Sequence, residues 1–212
     1  MYQLYIFDLD GTILNTLDDL AASTNAALAM HHFPEITVDE VRRFVGNGIG
    51  LLIERAVPQG TDAKVTASVL EDFKKHYKIH CADRTKPYDG IMDMLMTLKQ
   101  RGCKLAVVSN KADFAVQELC RDYFPNVFDF VVGEREGIRQ KPCPDSVNEV
   151  LRCLNTDRKD ALYIGDSDVD IETANNAQMD ILSVSWGFRD VAFLNAHGAK
   201  RIIDRPEVLL DI

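Results

Sequence analysis

Cysteine is scarce in this chain of 212 residues, and what there is does not pair. Cys81, Cys103, Cys120, Cys143 and Cys153 are scattered, odd in number and form no CxxC. That pattern argues against a zinc site or a disulfide framework and reads as reduced thiols in a cytoplasmic protein. Long hydrophobic runs are missing too. No stretch approaches the roughly 18 uncharged apolar residues that a membrane helix needs. The opening residues, MYQLYIFDLDGT, have neither the basic start nor the apolar run of a signal peptide. Positive charge is in the minority: Lys plus Arg number 24 and Asp plus Glu 33, for a net charge of −9. Such a chain repels phosphodiester backbones and anionic membranes, so neither nucleic acid nor membrane is an expected partner. With 46% hydrophobic and 27% charged residues, the composition is globular, which excludes disorder, collagen and coiled coil as descriptions of the whole chain.

What is there is a change of rhythm along the chain. QLYIFDLD is a short apolar run ending in acids and suits a buried strand. From about residue 15 to 80 every segment reads as helix. Leu17, Leu20, Ala21, Thr24 and Leu28 fall at helical spacing, and Thr37-Val-Asp-Glu40 is a capping box for a second helix with Val38, Val41, Phe44 and Val45 on one face. The turn Gly46-Asn47-Gly48-Ile-Gly50 leads into LLIERAV, and a further helix runs through Val65, Val69, Phe73 and Tyr77. Past residue 85, helices alternate with the strands CKLAVVSN, FDFVVGE, ALYIGDSD and ILSVSW, and one helix covers Ala112 to Tyr123. Alternation of this kind predicts an α/β fold, a parallel sheet with helices on both faces. The all-helical stretch over 15–81 reads as an insertion into a core over 1–14 and 82–212; the alternative, one continuous α/β domain, would need that whole stretch to run without a strand.

Three of the strands end in acidic or hydroxyl residues: Asp8-Leu-Asp10-Gly11-Thr12, Ser109-Asn110-Lys111 and Gly165-Asp166-Ser-Asp168-Val-Asp170. Lys141-Pro142 lies in a loop before a helix. In an open parallel sheet these ends converge on one edge, where ligands bind. Asp8 and Asp10 are two apart on an extended segment, so both carboxylates tend to one side. Clustered carboxylates need a cation, and an oxygen-only set without histidine or cysteine points to Mg2+. A carboxylate can attack phosphorus to give an aspartyl phosphate, and a neighbouring one can carry the proton. Gly11 and Thr12 would bring backbone N–H groups to the phosphate. Ser109 offers a hydroxyl, and Lys141 a positive charge for the phosphoryl oxygens and the nucleophile.

These four motifs, in this order, resemble those of the phosphatase branch of the haloacid dehalogenase superfamily, and the match spans the whole chain. The resemblance implies a Rossmann-like, doubly wound core with 15–81 as an inserted helical cap domain, Asp8 as nucleophile, Asp10 as acid and base, and Ser109 and Lys141 on the phosphate. Gly11, Thr12 and Asn110 would complete the phosphate pocket. It implies Mg2+ on Asp8, the Asp10 backbone carbonyl and Asp166, with Asp170 supporting the metal from behind. Within the superfamily, Phe44-Val-Gly46-Asn47-Gly48 resembles the cap turn of the phosphoglycolate phosphatase-like group. Trp186-Gly187-Phe188-Arg189 and the tail through Gly198 and Ile202-Ile203-Asp204 resemble it too. The implied activity is hydrolysis of a small phosphorylated metabolite, first 2-phosphoglycolate, by a monomer or homodimer. Phosphomutase, pyrophosphatase, carbon dehalogenase and non-catalytic regulator are the alternatives.

Some residues carry two readings. Gly46 and Gly48 serve a plain helix–helix turn or the substrate equally well. Ser109 reads as a helix cap as well as a phosphate donor, and Asp168 reads as a helix N-cap. Arg189 either touches substrate or steadies a loop. His31, His32 and His76 read as surface residues without partners, and Met92, Met94 and Met96 as helix packing.

Overall fold

The structure, a computed structural model, describes residues 2–212. The chain runs β1 (Leu4–Phe7), β2 (Leu14–Asn15), α1 (Leu17–Met30), α2 (Val38–Phe44), α3 (Ile49–Ala56), α4 (Ala63–His80) and β3 (Lys86–Pro87). It continues α5 (Ile91–Gln100), β4 (Lys104–Ala112), α6 (Asp113–Tyr123), β5 (Phe130–Glu134) and α7 (Asp145–Cys153). The last elements are β6 (Ala161–Gly165), α8 (Asp168–Asn176), β7 (Asp180–Val184), α9 (Val191–Ala196) and β8 (Ile202–Ile203). Two compact units result. One holds the N-terminal segment through Leu14 together with Pro87–Ile212, the other Asn15–Lys86.

In the larger unit six parallel strands form one sheet in the order β5-β4-β1-β6-β7-β8. β2 and β3 pair as a separate two-stranded ribbon. Alternation within β1 shows why both sheet faces are covered. Tyr5 and Phe7 enter one core with Ile91, Met94, Leu95 and Leu98 of α5 and Val116 and Leu119 of α6. Leu4 and Ile6 enter the other with Val147, Val150 and Leu151 of α7 and Ala174 of α8. A strand buried on both faces must be apolar throughout, as LYIF is. Of the methionine trio only Met94 is buried. Met92 packs on the core edge, and Met96 is exposed on the solvent side of α5.

The smaller unit is four helices. α1 buries Leu20, Ala21, Thr24 and Leu28, and α4 buries Val69, Phe73 and Tyr77. The capping box at Thr37 and Glu40 is formed, and of the α2 face Val41 and Val45 are buried while Val38 is exposed. The sequence reading drew the second boundary at 81/82, whereas the units divide after Lys86. Asp19 explains the difference. Its buried carboxylate accepts from the Arg84 and Thr85 amides and the Thr85 hydroxyl, at 2.8–3.0 Å, and so ties these residues to α1. The histidine reading needs correction. His31 bonds Asp72 at 3.0 Å and His76 bonds Ser23 at 3.0 Å, so both are partnered and half-buried. No described helix is long and apolar enough to cross a membrane, and the five cysteines are free thiols.

Candidate functional site

The winding of the sheet reverses at β1. From β1 the chain moves out through β4 and β5, then returns to β6 on the other side of β1. Asp8 follows β1 at this switch point, the place where open α/β sheets bind ligands. Its amide donates to the Ile164 carbonyl at 2.9 Å, which fixes its backbone beside β6. Asp166 follows β6 directly, and Asp170 lies in the first turn of α8. Oxygens of Asp8, Asp166 and Asp170 lie within 4.8 Å of one another, and all three residues are buried.

Lys141 comes to this cluster from the loop before α7. Its Nζ is 2.8 Å from Asp8 Oδ1 and 2.8 Å from Asp170 Oδ1, and it donates to the Tyr163 hydroxyl at 3.2 Å. Asn110 sets the approach. Its side chain donates to the Lys141 carbonyl at 3.0 Å and accepts the Lys141 amide at 2.8 Å. Asn110 was expected on the phosphate, but both its amide groups hold the Lys141 backbone. Asp170 has two donors on each oxygen: Lys141 and Tyr163 on Oδ1, and the Ser167 amide and hydroxyl on Oδ2. A carboxylate so filled has little acceptor capacity left for an ion.

Electrostatics follow from burial. Burial pushes Asp8 well above the usual carboxylate range, and Asp170 and Asp166 add to the push while Lys141 opposes it. Burial also raises Asp166, to about 7, with Asp170 adding to the effect. The Phe188 amide, the Thr12 hydroxyl and Arg189 pull it back only in part. Burial would depress Lys141, but Asp170 and Asp8 outweigh it and hold the ammonium well above its ordinary range. Three buried carboxylates face one ammonium. The remaining negative charge and the all-oxygen donor set fit a divalent hard cation.

Other expected residues sit differently. Asp10 turns both oxygens toward Lys111 Nζ, at 2.8 and 3.0 Å, and the Lys111 side chain is only 5% exposed. Sequence reasoning named Lys111 as a strand end without a role, because its partner lies 101 residues away. The Gly11 and Thr12 amides, expected to face phosphate, donate inside their own loop to Leu14 and Leu9 carbonyls. The Thr12 hydroxyl instead donates to Asp166 Oδ1 at 3.2 Å. Ser109 is buried and accepts the Lys111 amide at 3.2 Å. It caps no helix, because β4 runs on to Ala112. Asp168 is not an N-cap either. Ser167 caps α8, in a capping box with Asp170, and Asp168 is the first helical residue. Gly46, Asn47 and Gly48 lie in the helical unit, where Arg55 ties the turn to α3 through Asn47 Oδ1 at 3.1 Å and the Phe44 carbonyl at 2.8 Å.

Known proteins resemble the chain over nearly its whole length. The model of the haloacid dehalogenase-like hydrolase family matches residues 5–184. Phosphoglycolate phosphatase of Aquifex aeolicus is 31% identical, covering 99% of this chain and 96% of that one. N-acetylmuramic acid 6-phosphate phosphatase of Pseudomonas aeruginosa is also 31% identical, over 98% of this chain and 92% of its own. A crystal structure from Lactobacillus delbrueckii subsp. bulgaricus, bearing a provisional phosphoglycolate phosphatase name, superposes with a TM-score of 0.94 at 40% identity. It covers 98% of this chain, which covers 96% of it.

Proposed function

Because the chain belongs to the haloacid dehalogenase-like hydrolase family, we propose that it is a cytoplasmic, Mg2+-dependent phosphatase acting on a small phosphomonoester, first 2-phosphoglycolate. The observation that carries this reading is the buried set of Asp8, Asp166 and Lys141 at the sheet's switch point. Asp8 and Asp166 would hold the ion, with the Asp10 backbone carbonyl, and Asp170 would support it from behind through Lys141 and Ser167. When bound, Mg2+ supplies positive charge that shields the phosphoryl oxygens from the carboxylates.

The chain's own residues then divide the work. The Asp8 carboxylate attacks phosphorus, a new P–O bond forms, and the bond to the leaving oxygen breaks. Asp10 gives its proton to that oxygen. In the second half Asp10 takes a proton from water as the water oxygen bonds to phosphorus. The acyl P–O bond breaks, phosphate leaves and Asp8 is regenerated. Lys141, 2.8 Å from Asp8, favours the charged nucleophile over its protonated form. Ser109 donates to a phosphoryl oxygen, and Lys111 orients the Asp10 carboxylate. The helical unit would serve as the cap domain of the family, excluding water and selecting the leaving group.

A sugar phosphate is the second reading, favoured by the equal identity to the N-acetylmuramic acid 6-phosphate phosphatase. Phosphate release from 2-phosphoglycolate, pyrophosphate, sugar phosphates and nucleoside monophosphates, with and without Mg2+, tests both. Mg2+-dependent release with 2-phosphoglycolate the best substrate supports the proposal. No release across the panel overturns it and favours a binding protein. Isomerisation of a sugar phosphate without release favours a mutase.

A further inference from the structure

Outside the four motifs, the loop after β7 reaches into the site. Trp186 Nε1 donates to the Thr12 carbonyl at 3.0 Å, and the same Thr12 donates its hydroxyl to Asp166 Oδ1. Two residues on, the Phe188 amide donates to Asp166 Oδ2 at 2.7 Å. Between them Gly187 lies so close that a Cβ there would stand 2.3 Å from Asp166 Cβ and 2.5 Å from the Gly11 carbonyl oxygen. Contacts that short require the loop or the Asp166 side chain to move. Arg189 closes the loop. Its side chain is 11% exposed, its guanidinium lies 5.3 Å from the Phe193 ring centre of α9, and Nε is 3.8 Å from Asp168 Oδ1.

Asp166 therefore has one donor on each oxygen: the Phe188 amide, which belongs to this loop, and the Thr12 hydroxyl, whose own carbonyl accepts from the Trp186 indole. A carboxylate held at both oxygens keeps one rotamer and presents its remaining lone pairs in one direction. That preorganisation is what partners behind a metal ligand contribute, and their loss typically costs about 10–100-fold in metal affinity. We infer that Trp186–Arg189 is a positioning loop that sets Mg2+ affinity by fixing Asp166, with Gly187 the residue that permits the approach. The inference rests on the reading of Asp166 as a metal ligand.

The test is Mg2+ binding to the intact protein by isothermal titration calorimetry, with Mg2+ alone as probe. Gly187→Ala should weaken binding about 10–100-fold, while kcat at saturating Mg2+ stays within a few-fold of wild type. Trp186→Phe, which keeps the ring packing and removes only the indole donor, should weaken binding in the same direction by a smaller factor. If Gly187→Ala does not fold, Trp186→Phe decides. A folded variant with wild-type Mg2+ affinity overturns the inference, as does a loss of kcat at saturating Mg2+ with affinity unchanged. Failure of the wild-type protein to bind Mg2+ is a different result, which removes the metal reading itself.

Discussion

Replacing Lys141 with Met probes the electrostatics of the site most sharply. The side chain is 4% exposed and its ammonium sits 2.8 Å from both Asp8 and Asp170. At an effective dielectric of about 20, each contact attracts by about 6 kcal/mol. Removing the ammonium recovers its own desolvation, several kcal/mol, and leaves Asp8, Asp166 and Asp170 facing one another. The net cost expected for orphaning a buried charge is about 3–5 kcal/mol. For a chain of this size that lowers the melting temperature by roughly 10 °C. Sign follows from protonation. Lys141 is the largest influence lowering Asp8, so without it Asp8 rises further and the variant's native state binds protons that its unfolded state does not. The variant therefore loses stability as pH rises, and the deficit at pH 8 exceeds that at pH 5. Urea unfolding without metal ions, followed by Trp186 fluorescence, reads this directly, because the only tryptophan lies in the larger unit. Equal midpoints for variant and wild type at pH 8 would refute the reasoning. So would a variant retaining more than about one hundredth of the activity, given the usual cost of removing one such group.

Other perturbations have equally definite outcomes. Asp166→Asn should abolish Mg2+ binding yet stabilise the metal-free protein at pH 8. The folded carboxyl is raised from 3.8 to about 7, so the wild type loses stability over that interval and the gain from Asn disappears near its lower end; melting curves at the two pH values check it. Asp19→Ala removes the acceptor of the Arg84 and Thr85 amides and should destabilise the helical unit by about 2–4 kcal/mol; circular dichroism melts would show no change if the ties were idle. Iodoacetamide at pH 8 should label exposed Cys153 first and Cys120 last, because burial pushes the Cys120 thiol up to about 12. Peptide mass mapping that finds both labelled at one rate would contradict the assigned burial.

Periodicity and strand-end chemistry made the architecture readable before any coordinate. The run LYIF is apolar at every position because both faces of β1 are buried, and Val147, Val150 and Leu151 mark the buried stripe of α7. What could not be read was pairing at a distance. Lys111 with Asp10, Asn110 with Lys141 and Trp186 with Thr12 are separated by 101, 31 and 174 residues, so local spacing holds no trace of them. Ser167 is a different matter. Ser167-Asp-Val-Asp170 satisfies the capping-box pattern, so the cap is legible one residue before Asp168. Nor does the sequence show where the Gly11 and Thr12 amides point. Here the tightness of the loop turns them onto their own backbone.

The central claim is that Asp8 takes the phosphoryl group. Rapid acid quench of the enzyme turning over 2-phosphoglycolate with Mg2+, followed by borohydride reduction and peptide mass mapping, tests it. An aspartyl phosphate is reduced to homoserine, so the account predicts homoserine at position 8, absent without substrate and absent in Asp8→Asn. Full turnover with Asp8 unmodified, or with the label on another residue, would contradict it.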